Sequence, residues 1–284
     1  MISPYVESIL IFSGINILLA LSWYVPHCAG LISMGQGGFM AIGAYVSAYL
    51  SLNGMPFYLS LSIGAIASCV ISVIVGLPAI RIKGLYWILS TIGFGEIVRI
   101  FFLNFEPTGS AKGLGGMLPH TTLLNVYLTI AIVMFFVSLI NTSHFGRSME
   151  AVLEDEDAAE TLGVNITNTK LLAFSIGGFI AGLGGGYYAH YALYIDSDNF
   201  GILRSVEILI YPLVGGVATV WGGVLGALLL TSLTEALRVA RDFRMEIYGG
   251  IIVLTMIFRP QGFLGKYTIS WKSGRRALHL FKSK

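Results

Sequence analysis

Blocks of mostly apolar residues, many of them close to 20 residues long, recur along the whole chain at 5–25, 31–52, 57–80, 85–103, 122–140, 171–189, 206–220, 221–237 and 247–258. A helix rising about 1.5 Å per residue needs about 20 residues to cross roughly 30 Å of hydrocarbon. The pattern predicts an all-α fold: a polytopic transmembrane helical bundle of about nine spans, within a range of about eight to ten, forming one membrane domain over 1–284. The last block is too short for an untilted span unless its flanks extend it. Composition agrees, because 55% of the 284 residues are hydrophobic and 11% charged, and mean hydropathy is +0.79. A soluble surface cannot be built from so few charges.

Basic residues near span ends are held on the cytoplasmic side. An alternating nine-span arrangement places Arg81, Lys83, Arg147, Lys170 and the seven from Arg259 to Lys284 on one side, and Lys112, Arg204, Arg238, Arg241 and Arg244 on the other. That predicts an N-terminus outside and a basic cytoplasmic tail at 259–284. The first residues lack the positive region of a cleavable signal peptide, so the first block is expected to stay as a span. A formal charge of +2 leaves no basic surface for nucleic acid. Cys28 and Cys69 show no metal or disulfide spacing and read as buried spacers.

Three segments depart from a plain bundle. The loop 141–169 is the longest expected on the cytoplasmic side, and GRSMEAVLEDEDAAETLGVN mixes Glu150, Glu154 and Glu160 with Ala151, Val152, Leu153, Ala158, Ala159 and Leu162. That pattern suits short surface helices with one apolar face, although a solvated acidic connector is the plainer alternative. Glycine supplies the second departure. Gly178, Gly182 and Gly186 recur every four residues and form a smooth stripe for helix packing. Gly35, Gly37 and Gly38 instead crowd around Gln36, which predicts a broken helix that either lines a solute path or packs closely on a neighbour. Third, Glu96 reads as the one acidic residue well inside a span, with Arg99 on the same helix face. This pair either neutralises itself or serves substrate or protons.

Catalytic signatures are missing. No stretch matches the phosphate loop G-x-x-x-x-G-K-[ST], so the chain is not expected to hydrolyse ATP itself. There is no H-E-x-x-H, C-x-x-C or G-x-S-x-G, and the histidines at 27, 120, 144, 190 and 279 are scattered. No enzyme activity, metal or bound cofactor is expected.

Within the acidic loop, Asp157-Ala158-Ala159 followed by Gly163 resembles the E-A-A-x-x-x-G coupling motif of bacterial ABC importer permeases, with Asp in place of Glu and without the downstream proline of many such permeases. Five further segments extend the likeness: MGQGGFMAIGAY from Met34, GLYWILSTIGFGEIVRI from Gly84, KLLAFSIGGFIAGLGGGYYAHY from Lys170, SVEILIYPLVGGVATVWGGVLGALL from Ser205, and FRPQGFLG from Phe258. Together they resemble the branched-chain amino acid permease family, in the type that carries the F-G-E-I-V-R segment. The N-terminus is short beside some relatives.

The resemblance implies a multi-pass subunit of a bacterial cytoplasmic (inner) membrane. It would pair with a second related permease, two ATP-binding-cassette ATPase subunits that consume the ATP, and a periplasmic substrate-binding protein. Glu150, Glu154, Asp157, Ala158, Ala159 and Gly163 would form the ATPase-coupling surface, while Gly35, Gln36, Gly37, Gly38 and Glu96 are candidates for the translocation path. Family members also carry urea, short amides or aromatic acids, so the cargo stays open. From the residues alone the rival is an ion-coupled secondary transporter or channel using Glu96 as a relay, against which the acidic loop argues.

Overall fold

The computed structural model describes residues 3–82, 84–236, 249–250 and 253. Apart from those last three positions, the expected span at 247–258 lies outside the described residues, as do the tail at 259–284 and Arg238, Arg241 and Arg244. Among the described residues the helices are α1 (Pro4–His27), α2 (Gln36–Leu52), α3 (Phe57–Ala79), α4 (Leu85–Asn104), α5 (Leu123–Thr142), α6 (His144–Glu154), α7 (Glu156–Thr161), α8 (Ile166–Ala192), α9 (Ile202–Gly215) and α10 (Val220–Ala236). Side chains close several helix starts: Ser3 Oγ accepts from Val6 N, Thr122 Oγ1 from Asn125 N and Asn165 Oδ1 from Asn168 N.

The 27-residue α8 is the central post, packed along its length on α1, α2 and α3. Its glycines allow this. A Cβ on Gly178 or Gly182 would come within 2.7 Å of Ser72 or Ser68 of α3, and one on Gly186 within 2.5 Å of Leu61. A Cβ on Gly185 would overlap the Met40 carbonyl of α2, and one on Gly177 would meet Pro26 and Ser22 of α1. Lipid is as apolar as leucine, so helices associate in it through such close backbone approach. By contrast α5 and the outer faces of α3 and α4 expose leucine, isoleucine and phenylalanine, as helices against lipid do.

Among the described residues five helices are long and apolar enough to span: α1, α3, α4, α5 and α8. The expected count of nine is not reproduced among the described residues, for two physical reasons. First, the block 31–52 is helical only from Gln36. Gly30 has φ +78 and residues 31–35 lie outside any helix, Leu31 N closing the end of α1 on Pro26 O and Gly35 O accepting the first bond of α2 from Phe39 N. Their polar groups are met by protein instead: Trp23 Nε1 donates to Ser33 O at 2.9 Å, Met34 N to Thr91 Oγ1 at 3.1 Å and Gly35 N to Ser33 Oγ at 3.2 Å. Unwound backbone at membrane depth survives on such terms.

Second, the blocks 206–220 and 221–237 are not two independent spans. The 14-residue α9 and 17-residue α10 belong to a bent pair, turned by 115° at a short break, which forms either one broken span or a re-entrant loop. Pro212 interrupts the donors near the end of α9, and Gly216 takes φ +114. At the opposite end of the bundle from α6 and α7, β1 (Leu114–Gly115) pairs antiparallel with β2 (Tyr194–Ile195), Leu114 opposite Ile195.

Candidate functional site

The loop between α5 and α8 folds into two short helices. Ser143 Oγ accepts from Gly146 N to start α6, whose inner face buries Gly146, Met149 and Val152 while Glu150, Leu153 and Glu154 face out. Asp155 breaks the helix in extended conformation. Its Oδ1 accepts from Asp157 N and Ala158 N, each at 3.0 Å, and so starts α7. Gly163 ends that helix with φ +86: its N–H reaches Glu160 O at 2.9 Å, and Val164 N reaches Ala159 O at 3.1 Å. A left-handed residue closed by a bond of that second kind is a Schellman ending.

Of the residues expected to couple to an ATPase, Glu150, Glu154, Asp157, Ala158 and Gly163 are exposed, and Ala159 points inward. Leu153 on α6 is 45% exposed, and Leu162, the residue that caps the end of α7, is 81% exposed. Sequence reasoning passed over an ion pair beneath them: Lys170 Nζ, with a side chain only 7% exposed, contacts Glu156 Oε1 at 2.5 Å and ties α7 to the second turn of α8. A Cβ on Gly30 would lie 3.7 Å from Leu153 Cα, so α6 also rests on the unwound link between α1 and α2.

The SMGQGG run is closed in this conformation. Gln36 is fully buried and exchanges hydrogen bonds with Ser22, and Gly37 N donates to Ser205 Oγ at 3.0 Å. A Cβ on Gly35 would meet Thr91 O, one on Gly37 would meet Ser205 Oγ and Phe200 O, and one on Gly38 would meet Gly95 Cα. The run therefore seats the start of α2 against α4 and α9.

Glu96 is occupied as well. Its Oε2 takes Arg99 Nε at 2.7 Å and its Oε1 accepts from Ile202 N at 3.2 Å, while Arg99 Nη1 reaches Asp198 Oδ1 at 2.8 Å. These contacts tie α4 to the loop before α9. Both carboxylate oxygens being engaged, the arrangement is a staple between elements.

Glu96 is also not the one acidic side chain within the bundle. Asn16, at the midpoint of α1, donates from Nδ2 to Thr231 Oγ1 at 2.9 Å and accepts from Arg204 Nη2 at 2.6 Å. Arg204 Nη1 pairs with Glu207 Oε2 at 2.7 Å, and its guanidinium lies 5.8 Å from the Phe12 ring centroid. This cluster joins α1, α9 and α10. An Asn in the middle of one apolar block, and a Glu at the edge of another three residues after an Arg that the span pattern puts in an outer loop, were the visible signals, but nothing local connects positions 16, 204, 207 and 231.

Fold and site thus define a class: a polytopic helical membrane protein with a broken helix, a bent helix pair and an amphipathic helical loop at one end. The model of the family described as "Branched-chain amino acid transport system / permease component" matches residues 5–259. The chain belongs to that family. It is 31% identical, over 88% of its own length and 66% of theirs, to the high-affinity branched-chain amino acid transport system permease proteins LivM of Salmonella typhimurium and Escherichia coli K12. The chain therefore spans just under two thirds of the length of those relatives. It is 25% identical, over 96% of its length and 94% of the relative's, to a probable branched-chain amino acid transport permease protein LivH of Methanocaldococcus jannaschii. Among solved structures, a chain of PsaBC from Streptococcus pneumoniae in complex with Fab superimposes with a TM-score of 0.53 at 13% identity, covering 94% of this chain and 93% of that one. That likeness concerns the fold alone.

Proposed function

We propose that the chain is the membrane subunit of an ATP-driven importer for branched-chain amino acids or related small amides and acids. In this reading it pairs with a second permease, two ATPase subunits grip the assembly from the cytoplasm, and a periplasmic binding protein delivers the solute. The chain binds no ATP and catalyses no reaction. It sits in a bacterial inner membrane as a multi-pass protein, its N-terminus outside and residues 141–169 in the cytoplasm.

The observation that carries the reading, beside the family, is the geometry of α6 and α7. A connector needs no helices, yet here Asp155 and Gly163 frame a capped helix, and Leu153 and Leu162 present apolar side chains beside exposed Glu150, Glu154 and Asp157. Exposed leucines rimmed by charge mark a protein contact. Closure of the ATPases on this surface would push α7, and through the Glu156–Lys170 pair would move α8, the post on which the bundle packs.

Replacing Leu153 and Leu162 together by Asp tests the assignment, because both side chains are exposed. We expect the double variant to insert and pair with the second permease normally but to recover about tenfold less ATPase on purification, as loss of buried contacts at an interface predicts. Full ATPase recovery would remove α6 and α7 from the contact.

A further inference from the structure

We propose that the face of α9 bearing Glu207 lines the solute path, and that the Glu207–Arg204 pair is its polar step, the free oxygen of the Glu207 carboxylate taking the ammonium group of a zwitterionic solute. The inference rests on the reading of the chain as an amino-acid permease and gives that reading a location.

Depth is the first argument. The 24-residue α1 is about 36 Å long at 1.5 Å per residue, so Asn16 at its midpoint lies near the bilayer centre. One guanidinium bridges Asn16 to Glu207, with contacts of 2.6 and 2.7 Å, so the carboxylate sits at nearly the same depth. A carboxylate there cannot face hydrocarbon. Intramembrane charges turn toward the bundle interior or a water-filled cavity.

Exposure is the second. The Arg204 side chain is 11% exposed and held from behind by Asn16, whereas Glu207 is 46% exposed. Among the described residues Glu207 Oε1 has no hydrogen-bond partner, since only Oε2 meets Arg204. The uncovered side of α9 must then be covered by water and a partner subunit rather than lipid. Leu203, four residues before Glu207, shares that side, as does Ile210, three residues after it. Their aliphatic side chains supply apolar wall beside the charge, the combination that a zwitterion with a branched side chain requires.

Other locations in the described residues offer less. Gly35–Gly38 is packed shut, both oxygens of Glu96 are engaged, and a cavity of about 530 Å³ between α2, α3 and α4 is walled by residues such as Ile42, Ile71, Ile97 and Phe101. That cavity offers an ammonium no charged partner. A short helix broken within the membrane beside a second unwound segment is also where transporters place solute sites. Gly37 N bonding Ser205 Oγ joins the two segments here.

The test uses the complete importer with both native cysteines replaced, carrying Leu203→Cys or Ile210→Cys, with Val70→Cys on α3 and Leu128→Cys on α5 as exposed apolar controls. A membrane-impermeant thiosulfonate should modify positions 203 and 210 about tenfold faster than 70 and 128, because the reagent reacts only where water reaches. Excess leucine with binding protein and ATP should slow it at 203 and 210. In parallel, Glu207→Gln should lower leucine uptake about tenfold with binding-protein-stimulated ATP hydrolysis retained, a loss confined to the transport step, and Glu207→Asp should recover part of it. Equal modification at all four positions would overturn the proposal, as would uptake by Glu207→Gln within about twofold of the parent. Should Glu207→Gln fail to assemble, the modification rates at 203 and 210 decide alone. A parent complex without ATP-dependent uptake would instead refute the importer reading.

Discussion

Gly163 shows what one residue contributes. Its φ of +86 lies in the left-handed region, and a Cβ there would meet nothing within 4 Å. The constraint is therefore backbone strain, about 1 kcal/mol for an ordinary residue and least for Asn or Asp. Gly163→Asn should keep uptake near the parental level. Gly163→Val, β-branched and intolerant of positive φ, should unwind the end of α7 and lower both ATPase recovery and uptake several-fold, while membrane insertion stays normal. Gly163→Asp separates charge from strain: if it fails where Asn succeeds, the ATPase surface rejects the charge. Parental ATPase recovery and uptake in the Val variant would show that the helix ending is dispensable. The helix ending at this glycine was legible because the residues that form it are contiguous. Arg204, Glu207, Asn16 and Thr231 were not legible as a unit, since their hydrogen bonds join positions up to |i−j| = 215 apart and no periodicity records them.

At the scale of elements, local chemistry foretold breaks better than partners. Three glycines around Gln36 announced the start of α2, whereas Pro212 and Gly216 bend a pair of blocks that hydropathy alone reads as two spans. The Gly178, Gly182 and Gly186 stripe has a regular period, and the structure sets it against α3. Glu156 and Lys170 lie 14 residues apart on separate helices, so their pairing waits on the turn at Gly163. Lys170 is nearly buried, and removing one partner of such a pair strands the other. Lys170→Met should therefore lower uptake per ATP hydrolysed about tenfold while ATPase still copurifies, the mark of a lost link rather than a lost dock. Lys170→Arg, or Glu156→Lys combined with Lys170→Glu, should restore part of the coupling. Equal coupling in Lys170→Met and the parent would leave the ion pair without a mechanical part.

Among the described residues α8 is a central post held by α1, α2 and α3, with the short helices α6 and α7 at one end and the Arg204–Glu207 pair packed on α1. Hydropathy alone revealed the solvent, the helical class and the approximate positions of the long spans. Depth within the bundle was not available from it, because a polar residue's cost depends on neighbours brought from distant segments. In the proposed machine the short helices and the charged pair have meaning only when the other subunits are present, since solute must be delivered on one side and work supplied on the other. The most direct test is uptake of labelled leucine into liposomes holding this chain with its permease partner and the ATPases, with binding protein outside and ATP enclosed. We predict uptake that requires ATP, binding protein and every subunit, and none by the purified chain alone under a proton or sodium gradient. Gradient-driven, ATP-independent uptake by the lone chain would contradict the account.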